Sequence, residues 1–217
     1  MITRLLAVLV LMTGCAGGPV APDWQAKAHV ALAAHVSAWF AGHDRVAAQE
    51  LDAARREVAR TGDSTQLARV ELTACAARLA SLASSDCPAF APLSQDADAG
   101  AQTYAAYLAG RWQGLEAQQL PAAQQAVMMT TDALATVQAI EDPLSRLVAA
   151  AALLRAGRLP PQGVALAIDT AAKQGWRRPL LAWLGFDRDR LAAAGDKTGA
   201  AARQRRMDIV SGQLPGR

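Results

Sequence analysis

Ala59-Arg60-Thr61-Gly62-Asp63-Ser64-Thr65-Gln66-Leu67-Ala68 holds the end of one helix and the start of the next within ten residues. Gly62 can take the left-handed backbone conformation that terminates a helix. Asp63, immediately after it, can accept a hydrogen bond from a backbone N–H three residues on and open a second helix. Gln66 stands at the third position after Asp63, the spacing of a capping box. The same chemistry returns near the other end of the chain, where Ala192-x-x-Gly195-Asp196-x-Thr198-x-x-Ala201 repeats Ala59-x-x-Gly62-Asp63-x-Thr65-x-x-Ala68. Turns this short predict antiparallel neighbouring helices. Alanine dominates the rest of the chain, β-branched residues are sparse, and no segment alternates apolar and polar residues long enough to be a strand. The fold class expected is all-α, an array of helical hairpins.

Working outward, Asp23 is positioned to cap a first helix over about Trp24–Ala41, with Leu32, Val36, Trp39 and Phe40 as its apolar stripe. Gly42 breaks it, and a second helix follows from Asp44 to Thr61. A third runs from Asp63 to about Ala83 with Leu72, Cys75, Leu79 and Leu82 on one side. Ser84–Gln95 reads as a loop, Asp98–Gly110 as a fourth helix, and Trp112–Pro121 fits no element clearly. Helix five is expected over Pro121–Ile140. Helix six is expected over Pro143–Ala156, with Asp142 as cap and Pro143 at its first position. Helices seven to nine are placed at Pro161–Gln174, Pro179–Ala194 and Thr198–Val210.

The paired Gly-Asp boundaries look like tetratricopeptide-style hairpins, which would imply a solenoid. There is no regular period of about 34 residues, however, and shared cap chemistry explains the echo equally well. Two lobes divided near residues 84–121 also fit.

At the N-terminus, Arg4 precedes an uncharged apolar run from Leu5 to Met12, and Thr13-Gly14-Cys15 closes it. The run is about half the ~20 residues a membrane-crossing helix needs. It therefore reads as a cleaved secretory signal. The ending resembles the lipobox of bacterial lipoproteins, with Met12 where the family more often has Leu. That resemblance implies cleavage before Cys15, a diacylglyceryl thioether on its sulfur and acylation (palmitate) of the new amino group. It also implies a Gram-negative outer membrane, periplasmic face, because Ala16 is not the Asp that retains such proteins at the inner membrane. The expected organisation is then a signal peptide at 1–14, lipidated Cys15 with a tether to residue 22, and one helical domain over 23–217.

With Cys15 lipidated, Cys75 and Cys87 remain as an even pair in an oxidising compartment. If the third helix ends near Ala83, Cys75 lies about 12 Å back along its axis. The four residues to Cys87 can return about that distance if the chain reverses sharply. A structural disulfide is expected, contributing about 3 kcal/mol. No Cys-x-x-Cys redox spacing accompanies it.

Composition and motifs argue against most chemistry. The formal charge of +3 falls to +2 without Arg4, which offers no general attraction to nucleic acid. The charge is uneven, with ten Lys and Arg against four Asp from Lys173 to Arg217. That end could meet phosphates or an acidic partner, or be a solvated helix face. His29, His35 and His43 form no i, i+4 pair and no His-Glu-x-x-His, so no metal site is expected; His35 is read as pointing away from the apolar stripe. Asp96-x-Asp98-x-Gly100 puts its glycine at position five rather than six of a calcium loop, and Tyr107 stands where Glu would close it. Asp187 and Asp189 fall on different helix faces among arginines and read as a salt-bridged surface. There is neither a Gly-x-Ser-x-Gly elbow nor a phosphate-cradling loop, so no catalytic residue, cofactor or enzyme activity is expected.

The most distinctive surface candidate is Trp176, Arg177, Arg178 and Trp183, since tryptophan beside arginine is common in binding hot spots. Leu180, Leu181 and Leu184 at helical spacing allow the same stretch to be core. Tyr107, with Tyr104, Leu108 and Trp112, has the same two readings. The expectation is a non-enzymatic, lipid-anchored helical module that binds an envelope protein partner. Its architecture resembles envelope assembly factors and secretin pilotins. The alternative is a carrier of lipid or a small molecule in an apolar cavity, with an enzyme on envelope polymers third. A concave groove exposing Trp176 or Tyr107 favours the first reading and a deep apolar cavity the second. A pocket in which Asp, His and Ser converge favours the third.

Overall fold

A computed structural model describes residues 22–83 and 87–213. The lipobox, Cys15 and nearly all of the tether lie outside the described residues. Among those described there are ten α-helices and no strand. They are α1 (Asp23–Ala41), α2 (Asp44–Ala59), α3 (Ser64–Ala80), α4 (Ala99–Leu108), α5 (Ala122–Met129), α6 (Ala133–Ala139), α7 (Pro143–Arg155), α8 (Pro161–Lys173), α9 (Arg177–Ala193) and α10 (Lys197–Val210). Single 3₁₀ turns at Ala91–Leu93 and Ala117–Gln119 lie in the stretches without a clear helical pattern.

The two echoed boundaries form as their residues predict. Gly62 and Gly195 have φ of 67° and 82°. Asp63 accepts from the Gln66 N–H and Asp196 from the Gly199 N–H. The Asp63 N–H itself bonds the Thr61 hydroxyl, so the box is not reciprocated by Gln66. Asp142 caps α7 by accepting from the Ser145 N–H, with Pro143 in the first turn.

Several boundaries differ from expectation. Pro22 occupies the cap of α1, and Asp23 lies inside the first turn, where it pairs with Lys27 one turn on. The long fifth helix is two, α5 and α6. Thr130 is extended, its hydroxyl accepts from the Asp132 N–H, and Asp132 caps α6 through the Ala135 N–H. A Thr-Thr-Asp run offers the backbone local side-chain partners that compete with helix continuation. The expected eighth helix starts two residues early, at Arg177, which places Pro179 in the first turn.

α7 is the centre of the molecule. The seven consecutive residues Leu147–Leu153 are buried all round, and α3, α4, α5, α6 and α8 pack on this helix. Ala149–Ala152 let those neighbours approach closely, whereas a helix at the surface would bury one stripe. Leu144 and Leu154, towards the two ends of the helix, are only partly covered. The main core runs from Phe40 through Leu72, Leu108, Val127, Leu147 and Ile168 to Leu184. It includes Phe90, Ala97, Leu108 and Leu120 from the 84–121 stretch. α1 packs on α9 as well as on α2 and α3. The array therefore has contacts beyond the nearest-neighbour stacking of an open solenoid.

The Cys75–Cys87 disulfide is present, with Cα atoms 5.6 Å apart. α3 ends at Ala80, sooner than expected, and Leu82 makes the reversal with φ of 51°. The Ala83 N–H reaches back to the Arg78 carbonyl and closes the helix end. A left-handed leucine is uncommon. Here its side chain packs against the main core.

Candidate functional site

An open groove of about 610 Å³ lies between α1, the start of α7 and the α8–α9 turn. α1 supplies Leu32, Val36 and Phe40 at four-residue spacing, which puts them on one face over about 12 Å. Pro143, Leu144 and Trp176 complete its apolar lining. Polar groups are confined to His29, Ser37, Thr73, Asp142 and Gln174. Thr73 also borders a second hollow of about 360 Å³, whose walls include the Arg69–Asp98 ion pair, Leu72, Tyr104 and Leu120.

Trp176 is half-buried, its ring tilted against Phe40 with centroids 4.6 Å apart. Its backbone N–H bonds the Ala171 carbonyl, and its own carbonyl accepts from Leu180 at the start of α9. The indole is thus held at both ends of its residue while part of the ring faces the groove. Arg177 is exposed. Arg178 is occupied inside the fold: its guanidinium lies 3.8 Å from the Trp39 ring centroid, Nε donates to the Trp39 carbonyl at 2.7 Å, and Nη2 pairs with Asp44. It joins the start of α9 to the turn between α1 and α2.

Two candidate partner contacts are corrected by burial. Trp183 is fully buried, and its indole N–H donates to the Ala80 carbonyl at 3.0 Å, satisfying the end of α3. Tyr107 is fully buried too, stacked between Tyr104 and Trp112, with Arg158 over the Trp112 ring. Burial raises the Tyr107 phenol above the ordinary tyrosine range, and its hydroxyl has no hydrogen-bond partner. Neither ring can reach a partner in this fold. Their apolar neighbours Leu180, Leu184 and Leu108 were the signal for core.

The histidines and the basic end also differ from expectation. His35 is buried between α1 and α2, while His29 and His43 are exposed. Asp187 is buried rather than superficial. Burial opposes its ionisation, but hydrogen bonds from Arg203 and Arg190 outweigh that and hold its carboxyl below the usual range. Arg188 bonds Asp189 and Gln204. Several of the basic side chains therefore pin α10 to α9. No comparable alternation in sequence marks Asp187 as the buried carboxylate; two arginines from different helices converging on it do.

The groove brings one His, one Ser and one Asp to its walls, but they do not form a nucleophile and base. His29 and Ser37 are about 12 Å apart along α1. No hydrogen bond joins either to the other or to Asp142, whose Oδ2 is taken by the α7 cap. Among the described residues no group of three or more His, Cys, Asp or Glu could hold a metal ion. No described helix is long and apolar enough to cross a membrane. No family model matches the chain, and no curated protein or solved structure matches it.

Proposed function

We propose that this chain is a lipid-anchored, non-enzymatic helical module that docks an apolar segment of an envelope protein in the α1–α7 groove. The observation that carries the reading is the groove itself, open to solvent and lined by a partly exposed Trp176 whose backbone is fixed by hydrogen bonds. Its apolar wall on α1 extends about two helical turns, the length over which an amphipathic helix presents a stripe of side chains at i, i+3 and i+4. A polar margin of His29, Ser37, Thr73 and Gln174 suits the solvated edge of such a helix. The lipobox resemblance supports attachment through Cys15 at the periplasmic face of the outer membrane, with the helical domain on its tether. The carrier alternative is less well supported, because an acyl chain in an open groove keeps one side in water.

The test places a photo-crosslinking residue at Ser37 in the groove, with Thr198 on the exposed face of α10 as control, in the protein's own envelope. A discrete protein adduct from Ser37 that Trp176→Ala abolishes and Thr198 never forms is the expected result. Lipid adducts at Ser37 instead would establish the carrier reading. Cys15→Ser should release the protein from washed membranes, and persistent association would refute the lipid as sole attachment.

A further inference from the structure

His35 is 3% exposed and lies where α1 meets α2. Its Nδ1 is 2.7 Å from the Ala47 carbonyl, so Nδ1 carries the proton and donates. The other ring nitrogen, Nε2, is buried with no hydrogen-bond partner. A neutral imidazole tolerates this, because an unpaired lone pair is a smaller loss than an unpaired charged N–H. Protonation would add that N–H, with its charge, where no acceptor waits.

The charged groups around it give no relief. α2 contributes Arg55 and α3 contributes Glu71 and Arg78. Both Glu71 oxygens already accept from Arg55, at 2.5 and 2.7 Å. The surrounding contact is thin: the small core here consists of Ala28, Ala31, Leu51, Ala54, Val58, Val70 and Ala74. Of these only Leu51, Val58 and Val70 are larger than alanine, whereas Trp39 and Phe40 hold the C-terminal end of α1 to the main core.

We propose that His35 is an acid-sensitive latch, neutral when α1 is seated on α2 and protonated when the hairpin opens. Burial holds the seated imidazole below the ordinary histidine range, against the Ala47 carbonyl and Glu71, which favour its protonated form. The open form then binds more protons, so closure is fully stable above the ordinary histidine value of about 6.5. It weakens as pH falls through that value towards the lower one of the seated form. α1 also carries Leu32, Val36 and Phe40, so opening would dismantle one wall of the groove. That consequence rests on the docking reading, whereas the latch does not.

The experiment is an NMR titration of the histidine ring protons of the wild type, beside amide exchange and urea unfolding of wild type and His35→Gln at pH 7.5 and 5.5. The His35 signal is expected to titrate below 6.5. Between the two pH values the opening constant of α1–α2 should rise about threefold to tenfold more in the wild type than in His35→Gln. A His35 signal titrating at or above 6.5, or equal acid responses in the two proteins, overturns the latch. If His35→Gln fails to fold, the wild-type titration decides alone. Acid opening of α1–α2 with undiminished Ser37 crosslinking would sustain the latch and count against the docking reading.

Discussion

The N-terminal hairpin and the body around α7 are built from the same alanine-rich sequence but are held by different forces. The body buries Leu147, Leu153, Ile168, Leu184, Tyr107 and Trp183, and α7 is enclosed by five other helices. The α1–α2 hairpin contributes Phe40 to the main core but otherwise buries mainly alanines with Leu51 and Val58, beside His35 and the Arg55–Glu71 pair. Alanine lets backbones come close but buries little area, so the hairpin gains less from the hydrophobic effect per residue. That charge pair is buried only on its Glu71 side, since Arg55 reaches solvent. The difference teaches that one composition can make a centre of large side chains and an arm of small ones.

Breaking the body should have the largest effect. Trp183→Ala removes the largest fully buried side chain and its bond to Ala80, and should lower global stability by about 3–5 kcal/mol in urea unfolding. Replacing Cys75 and Cys87 together with alanine should cost about 3 kcal/mol, read in the same way under oxidising conditions. Glu71→Gln removes the charge that Arg55 meets across α2 and α3, leaving Arg55 with Asp52, and should cost about 1 kcal/mol. That loss should appear as faster amide exchange in α1 and α2 with the body's slowest amides unchanged; uniform loss across both regions would erase the distinction drawn between them. Gly62→Ala and Gly195→Ala are similarly mild, each expected to cost about 1 kcal/mol, since both glycines are left-handed but face open space. A cost at Gly195 well above that at Gly62 would show α10 to matter more to the whole than its single-sided packing on α9 implies.

Caps and hairpin turns were legible because they depend on neighbouring residues alone. Asp63, Asp142 and Asp196 act within three residues of themselves, and Gly62 and Gly195 act through their own backbone. The α5–α6 break was legible in principle in Thr130-Thr131-Asp132, but its weak local hydrogen bonds compete with a helical pattern that runs through them. The cysteine pair could be reached by arithmetic on chain length, although the residue making the reversal, Leu82, carries no turn signal.

The candidate site was legible only in part. Trp176 could be singled out, but its groove partners come from α1, α3 and α7, far away in the chain. Trp183 and Tyr107 look the same as Trp176 in sequence, because an aromatic residue beside leucines is compatible with either a core or a binding surface. Arg178 reads as a surface cation until Trp39 and Asp44 are brought beneath it.

The sequence by itself determined the helical class, most helix ends, the pairing of Cys75 with Cys87 and the shortness of the turns, all of which are local or bounded by the reach of the chain. Tertiary structure alone decided which aromatic rings are core, which carboxylate is buried, that His35 has a buried nitrogen without a partner, and that a groove exists. Those properties belong to pairs of surfaces, and desolvation acts on a residue only once distant helices have closed over it.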